Sequence, residues 1–256
     1  MAVPVGSAGL RPRVAAPGTG LMWALAVLAA ASLAVWFASP LRTLLDHTRP
    51  DHAGGLAGVS LFTGSWMLMV IATMLPTARP LIATFGRMVS DRPDASRIAA
   101  TLIVGYLGVW LVSGVAIGTA DLGLHGLSER TYLADHRPIV AGATLIAAGA
   151  YQLSPIAASC LRACRTPNGF IHRRWRCVER PARQAFAIGV DFGLSCFGCC
   201  AALMVVMAAL GMANPLLMLG LAAVAAIEKA ASWGPRLARP SGVALAALGT
   251  FLVVQG

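Results

Sequence analysis

The stretch FAIGVDFGLSCFGCCAALMVVMAALGM, residues 186–212, decides the fold class because its 27 residues include a single charged side chain, Asp191. A run this long and apolar is typical of a helix that crosses a membrane, which needs roughly 20 predominantly apolar residues. The whole chain is 57% hydrophobic and 12% charged, with a mean hydropathy of +0.73, which excludes a soluble globular domain. The sequence therefore predicts a membrane protein with three thiols inside one span.

Further apolar runs predict an all-α fold, a polytopic transmembrane helix bundle of six or seven helices. These form a single membrane domain, 21–256, preceded by a flexible cytoplasmic leader, 1–20. The predicted helices lie near 21–39, 58–78, 98–118, 139–159, 187–211, 214–233 and 242–255. The last run is short for a span, so the sequence leaves open whether it crosses. Pro155 predicts a local kink near the end of the fourth run.

The arginines predict the orientation, because basic residues collect in the cytoplasmic loops of membrane proteins. With a cytoplasmic N-terminus, fifteen arginines fall in inner segments and only Arg42, Arg49, Arg130 and Arg137 in outer loops. Seven inner arginines lie in the 162–183 segment, where we expect them to bind anionic headgroups of the lipid bilayer. No aromatic–basic recognition pattern accompanies the net charge of +10, so no nucleic acid partner is expected.

Five sulfur-containing residues of the quoted stretch share one helical face, because residues three and four apart are neighbours on a helix. They are Cys196, Cys199, Cys200, Met204 and Met207. Gly189 and Gly193 fall on the same side and would admit another helix, so this face is expected to contact protein. Soft sulfur ligands favour Cu(I), with Zn(II) or an iron–sulfur cluster as other clients. The competing interpretation is that Cys and Met are ordinary packing residues.

Three thiols on one face do not complete a four-coordinate site, so other helices must contribute. Met74 and Glu228 are the candidates, because both lie at roughly the depth of Cys196 when each span is counted from its own loop. Glu228 precedes the only lysine, Lys229, and such a pair within a span marks a site or snorkels to the headgroups. Asp191, at comparable depth, is expected to snorkel or to pair with an arginine.

Two further cysteines, Cys160 and Cys164, lie four apart at the cytoplasmic end of the fourth run. They either form a metal entry or exchange site or simply pack as small residues at a helix interface. The second interpretation is preferred. Tyr106 and Trp110, also four apart, either line a site or serve as packing anchors, and packing is again preferred.

Several landmarks in order resemble a known family. They are WMLMVIATMLP at 66–76, GYLGVW at 105–110, YQLSPIAASCLRACRTP at 151–167, GLSCFGCCAALM at 193–204, GMANPLLM at 211–218 and the Glu228–Lys229 pair. The family is that of bacterial predicted metal-binding integral membrane proteins, defined by a domain of unknown function. The resemblance implies a multi-pass protein of the bacterial inner membrane that handles a metal, copper before zinc, without an established reaction.

The chain departs from the pattern of this family at four positions. Phe192 stands where the family often has His, Thr73 where it has Met, Ala201 where it has Trp and Ala157 where it has Lys. A possible His ligand and a possible Met ligand are therefore missing from the coordination sphere that the resemblance implies.

Three hypotheses follow. In the favoured one, the protein binds copper through Cys196, Cys199 and Cys200, and works with a metal-delivery or membrane partner subunit. Met74, Met204 and Glu228 are the supplementary ligands. In the second, the same site belongs to a metal-dependent membrane oxidase or oxygenase. In the third, a small transporter or assembly factor uses the Glu228–Lys229 pair and the arginine-rich loop while the cysteines pack helices.

Overall fold

The computed structural model describes residues 55–128, 137–175, 180–209 and 215–255, together with 27–28, 30–32 and 34–35. The predicted leader, 1–20, and most of the first predicted helix lie outside these residues. Every regular element in the described ranges is helical, which confirms the all-α fold class. The elements are α1 Gly55–Thr73, a 3-10 turn Pro76–Ala78, α2 Arg79–Met88, α3 Ala95–Ser128, α4 Arg137–Gln152, α5 Pro155–Arg165, α6 Asn168–Arg174, α7 Pro181–Ala209, α8 Pro215–Ala230 and α9 Gly234–Gln255.

Four of the described helices, α1, α3, α7 and α9, are long and apolar enough to cross a membrane. The α4–α5 pair is a fifth candidate if the two helices count as one span. α8 has 16 residues and is shorter than the run 214–233. α9 has 22 residues because it begins at Gly234, which gives the last predicted run the length that a span requires. The helices thus form the apolar bundle that the sequence predicts.

Prolines divide two of the predicted runs. The α-helix of the second run ends at Thr73, and Pro76 opens the 3-10 turn. The fourth run bends by 60° between α4 and α5, which confirms the predicted kink. Ser154 caps α5 by accepting a hydrogen bond from the Ala157 amide at 3.2 Å, and Pro155 takes the first helical position. Proline lacks an amide donor and restricts the residue before it, which favours a break in the helix at these two positions.

α3 and α7 pack together at the centre of the bundle. A Cβ at Gly189 would collide with the Leu102 carbonyl oxygen, and one at Gly105 would collide with the Phe186 carbonyl. At Gly193 a Cβ would lie 3.0 Å from the Val109 side chain. The prediction that Gly189 and Gly193 admit another helix is therefore confirmed, and that helix is α3. Small residues allow this approach in an apolar environment, where close packing drives helix association.

A second close contact joins α4 to α9. A Cβ at Gly142 would lie 2.6 Å from the Gly249 carbonyl oxygen, and one at Gly149 would lie 2.6 Å from the Gly242 carbonyl oxygen. The two glycines of each helix are seven residues apart and therefore share a face. This pairing fixes α4 and α9 side by side, so that the end of α4 and the start of α9 can both contact the end of α8.

Candidate metal centre

The predicted thiol stripe on α7 is buried inside the bundle. Cys196, Cys199 and Cys200 are each at most 3% exposed, which confirms that this face contacts protein. The Cys199 thiol donates to the Cys196 carbonyl oxygen at 3.1 Å, and the Cys200 thiol does so at 3.0 Å. Without a further partner, these two thiols would be ordinary packing residues that hydrogen bond to their own helix. Residues of other helices supply the further partners.

Lys229 brings a cation to this stripe from α8. Its Nζ lies 3.1 Å from Cys196 Sγ, 3.4 Å from Met74 Sδ and 3.8 Å from Cys200 Sγ. Three sulfur atoms, two on α7 and one just after the end of α1, thus surround one half-buried ammonium. We call Met74, Cys196, Cys200 and Lys229 the sulfur–lysine cluster.

Met74 enters the cluster because α1 ends immediately before it. The Met74 and Leu75 amides both donate to the Val70 carbonyl, at 2.8 and 3.1 Å, where the chain leaves the helix. Tyr106 on α3 fixes this turn, since its hydroxyl donates to the Met74 carbonyl at 3.1 Å and lies 3.4 Å from Cys196 Sγ. Tyr106 therefore contacts the site, although the sequence favoured a packing role for it.

Arg165 holds the end of α8 from which Lys229 reaches inward. Its Nη1 donates to the carbonyl oxygens of Glu228, Lys229 and Ala231 at 3.0, 3.0 and 2.7 Å. The last carbonyls of a helix lack intrahelical partners, and a cationic donor there is favoured by both hydrogen bonding and the helix dipole. The C-terminal end of α5 is thereby tied to that of α8.

A second thiol contact joins α7 to α5. Cys164 Sγ is 3.6 Å from Cys199 Sγ. Cys160, one turn earlier on α5, packs against Gly198, where a Cβ would lie 2.7 Å from the Cys160 sulfur. The Tyr151 hydroxyl donates to the Gly198 carbonyl at 2.8 Å. Cys164 is thus adjacent to the thiol stripe, whereas Cys160 fills an interface.

Glu228 does not face the sulfur atoms. Gln152 Nε2 donates to both of its carboxylate oxygens, at 3.0 and 3.2 Å, and the Ser241 hydroxyl donates to Oε1 at 2.8 Å. Gln152 is the last residue of α4, and Ser241 lies within α9. The carboxylate is therefore held in a polar network that joins three helices.

The structure thus brings some of the predicted ligands together and separates others. Met74, Cys196 and Cys200 meet around Lys229, Cys199 faces Cys164, and Glu228 faces Gln152. Met204 is fully buried in the core, one turn beyond Cys200 on α7. Lys229 is the central residue that the sequence did not place in this site; its signal was a lone lysine at the depth of the thiols.

Asp191 also has a defined partner. Arg174 Nε donates to its Oδ2 at 2.7 Å and Nη2 donates to Oδ1 at 3.1 Å, which confirms the expected pairing with an arginine. The carboxylate raises the pKa of the Arg174 guanidinium, first through the hydrogen bonds and then through its charge. This two-bond contact ties α6 to α7 close to the cluster.

A pocket of about 470 Å³ opens beside the cluster. Cys196, Lys229, Cys164 and Phe192 contribute to its wall. Phe192, which stands where a ligand was implied by the family pattern, packs against Tyr106 with ring centroids 5.8 Å apart. The pocket thus borders the cluster at Cys196 and Lys229.

The atoms around Lys229 Nζ are sulfur atoms, a donor type that soft metal ions prefer. Within the residues that the structure describes, no three His, Cys, Asp or Glu side chains converge as a preformed metal site. The convergent atoms are instead two thiol sulfurs and the thioether of Met74, all turned toward one cation. Thiolate and thioether donors select Cu(I) over hard divalent cations, so the residues fit Cu(I).

Comparison with known families assigns the chain. Residues 63–252 match the sequence profile of the PpoB2 family, which is described as a copper chaperone. The chain belongs to the PpoB2 copper-chaperone family. Comparisons with curated proteins and with solved structures gave no significant match.

The copper-chaperone assignment covers the part of the chain that carries the cluster, from Thr63 on α1 to Leu252 on α9. It agrees with the copper-related class that the sequence landmarks indicated. The sulfur–lysine cluster lies wholly inside the matched region.

Proposed function

We propose that this chain is a copper chaperone of the bacterial inner membrane, a multi-pass protein with its N-terminus in the cytoplasm. It binds Cu(I) through Met74, Cys196 and Cys200 and passes the ion to a membrane or metal-delivery partner subunit. The observation that carries the proposal is the convergence of these three sulfur atoms on one point within 3.8 Å of Lys229 Nζ. Copper-chaperone family membership supports copper over zinc as the cargo.

The burial of the cluster suits a protein that holds copper without using it. Cys196, Cys200 and Met74 are each at most 1% exposed, so bulk water and oxygen have little contact with their sulfur atoms. Tyr106 and the break after Thr73 keep Met74 turned toward Cys196. Thiolate and thioether sulfur atoms are soft ligands and therefore bind Cu(I) in preference to hard cations.

Cys199 and Cys164 provide a route for ligand exchange. Cys199 is adjacent to Cys200 in sequence, and its sulfur is 3.6 Å from that of Cys164, which borders the pocket. A soft ion can move along such a series of thiols by gaining one ligand before it loses another. In this proposal Cys164 is the thiol that exchanges copper with a carrier in the pocket, and Glu228 stabilises the helix ends around it.

The arginine-rich segment anchors this side of the protein to lipid. Arg162, Arg173, Arg180 and Arg183 are exposed at the ends of α5, α6 and α7. Anionic headgroups attract such residues at the cytoplasmic surface of a bilayer. We propose that these contacts set the depth at which the pocket opens.

The experiment that tests the function is metal analysis of the detergent-purified protein after anaerobic reconstitution with Cu(I). We expect near-stoichiometric copper in the wild type and loss of it in the Cys196→Ser/Cys200→Ser double variant. Cys160→Ser is the matched control, because Cys160 packs against Gly198 outside the cluster. Equal copper in all three proteins, no copper in the wild type, or retention of zinc in preference to copper would each contradict the proposal.

A further inference from the structure

Lys229 has an unusual set of neighbours for a lysine. Its ammonium contacts three sulfur atoms, while the carboxylate of the adjacent Glu228 is engaged by Gln152 and Ser241. No ion pair joins Glu228 to Lys229 in the described part of the chain. The positive charge of Lys229 is therefore directed at the sulfur atoms of Met74, Cys196 and Cys200.

An ammonium and a copper ion cannot share this position. A lysine ammonium has three donors and no lone pair, so it cannot act as a ligand to a metal. Two positive charges a few ångströms apart in a site of low dielectric also repel each other strongly. The sulfur atoms can therefore surround Lys229 Nζ or Cu(I), but not both.

Lys229 has space to move away. It borders the pocket of about 470 Å³ together with Cys196, Cys164 and Phe192. The ammonium stands on a flexible four-carbon chain, so rotation of that chain moves the charge into the pocket while α8 stays in place.

We propose that Lys229 is an internal substitute for the copper ion, which occupies the centre of the sulfur cluster in the unloaded protein and moves into the pocket when Cu(I) binds. This inference rests on the proposed copper-binding function. One monovalent cation replaces another at the sulfur atoms, and a thiol that becomes a copper ligand, such as that of Cys200, releases its proton as it binds. A buried charge without a partner is strongly unfavourable. The exchange keeps a cation, either Lys229 or Cu(I), beside the buried sulfur atoms while copper enters and leaves.

The exchange can be followed by chemical labelling, because Lys229 is the only lysine of the chain. The purified full-length protein is treated anaerobically with formaldehyde and a borane reductant, which methylate accessible amines, with and without bound Cu(I). Mass spectrometry of the fragment that contains Lys229 reports its methylation, and the N-terminal amine is the internal reference. We expect methylation of Lys229 to rise severalfold in the copper-loaded protein while that of the N-terminus stays constant.

The Cys196→Ser/Cys200→Ser variant is the control, since added Cu(I) should leave the labelling of its lysine unchanged. If the wild-type protein takes up copper and Lys229 methylation does not rise, the substitute role is wrong and the copper-binding function stands. If the wild-type protein takes up no copper, both proposals are wrong. Metal analysis of the same samples distinguishes these results.

A second measurement uses Lys229→Leu, which removes the charge, keeps an apolar side chain and adds no atom that can bind copper. Return of the lysine to the cluster assists copper release, so we expect the loaded variant to transfer Cu(I) to a chromogenic chelator severalfold more slowly than the wild type. Transfer at an equal or greater rate would contradict the proposal.

Discussion

The ammonium nitrogen of Lys229 lies 3.1 Å from the sulfur of Cys196, although the two residues belong to different helices. Consecutive residues of a helix point roughly 100° apart, because a turn contains 3.6 residues. Lys229 can therefore face the thiols while Glu228 faces Gln152 and Ser241. Two residues that are adjacent in the sequence thus lie in separate environments in the fold, one polar and one rich in sulfur.

Substitution of Met74 with Leu should weaken copper binding without unfolding the protein. Leu keeps the volume and apolar character of the side chain, and removes the soft donor. We expect the affinity for Cu(I), measured by competition with a chromogenic chelator, to fall by about tenfold or more, or ~1.4 kcal/mol. Met69→Leu is the control. Met69 is as fully buried as Met74 and lies on α1, but the Lys229 ammonium contacts the sulfur of Met74 and not that of Met69. Equal affinities for the two variants would exclude Met74 as a ligand.

The class of fold and the part of the site that lies on α7 could both be predicted from the sequence. Long apolar runs predict spanning helices directly, and the spacing of Cys196, Cys199 and Cys200 predicts a shared face from local geometry alone. Gly189 and Gly193 predicted a neighbouring helix on that face, and α3 occupies this place. Each of these inferences depends on residues within a single helix.

The rest of the site depends on where helices break and how their ends meet. Met74 reaches the thiols because α1 stops at Thr73, and Lys229 reaches them because Arg165 fixes the end of α8. Depth counting placed Glu228 near the thiols, yet it could not show toward which neighbour a side chain points. Rotation about the helix axis, set by long-range contacts, decided between Glu228 and Lys229.

The contact between Cys164 and Cys199 should be visible as a disulfide under mild oxidation. Their sulfur atoms are 3.6 Å apart, so a modest movement brings them to the bonding distance of about 2.05 Å. We expect non-reducing mass spectrometry of the oxidised, copper-free protein to detect a bond between the fragments of α5 and α7. Cys199→Ser should abolish it, and Cys160→Ser should not. A bond from Cys160 instead would contradict the arrangement.

Gly189→Ala should destabilise the bundle, because the added methyl group would collide with the Leu102 carbonyl on α3. Overpacking of this kind costs about 1–3 kcal/mol, and we expect a clearly lower Tm in detergent. Gly108→Ala is the matched control on α3, since a Cβ there meets no atom within 4 Å. A similar Tm for both variants would show that α3 and α7 do not approach as closely as described.

Arg165→Ala should loosen the end of α8. The substitution leaves the Glu228, Lys229 and Ala231 carbonyls without their cationic donor, and hydrogen bonds to charged groups contribute about 1.5–3 kcal/mol. We expect a lower Tm together with weaker Cu(I) binding. Arg162→Ala, on an exposed position of the same helix, should leave both quantities unchanged. If the copper affinity of Arg165→Ala is unchanged, copper binding does not depend on the position in which Arg165 holds the end of α8.

Glu228→Gln distinguishes a structural carboxylate from a metal ligand. In the wild type, Gln152 Nε2 donates to both carboxylate oxygens of Glu228. The substitution keeps the shape of the side chain but replaces one of these acceptors with an amide group. The variant loses the charge-assisted hydrogen bonds that Gln152 and Ser241 donate to the carboxylate, and bonds to charged groups contribute about 1.5–3 kcal/mol, so we expect the Tm to fall. The affinity for Cu(I) should remain that of the wild type, because the carboxylate is turned away from the sulfur atoms. The reverse result, weaker copper binding at an unchanged Tm, would make Glu228 a ligand and would require α8 to rotate on loading.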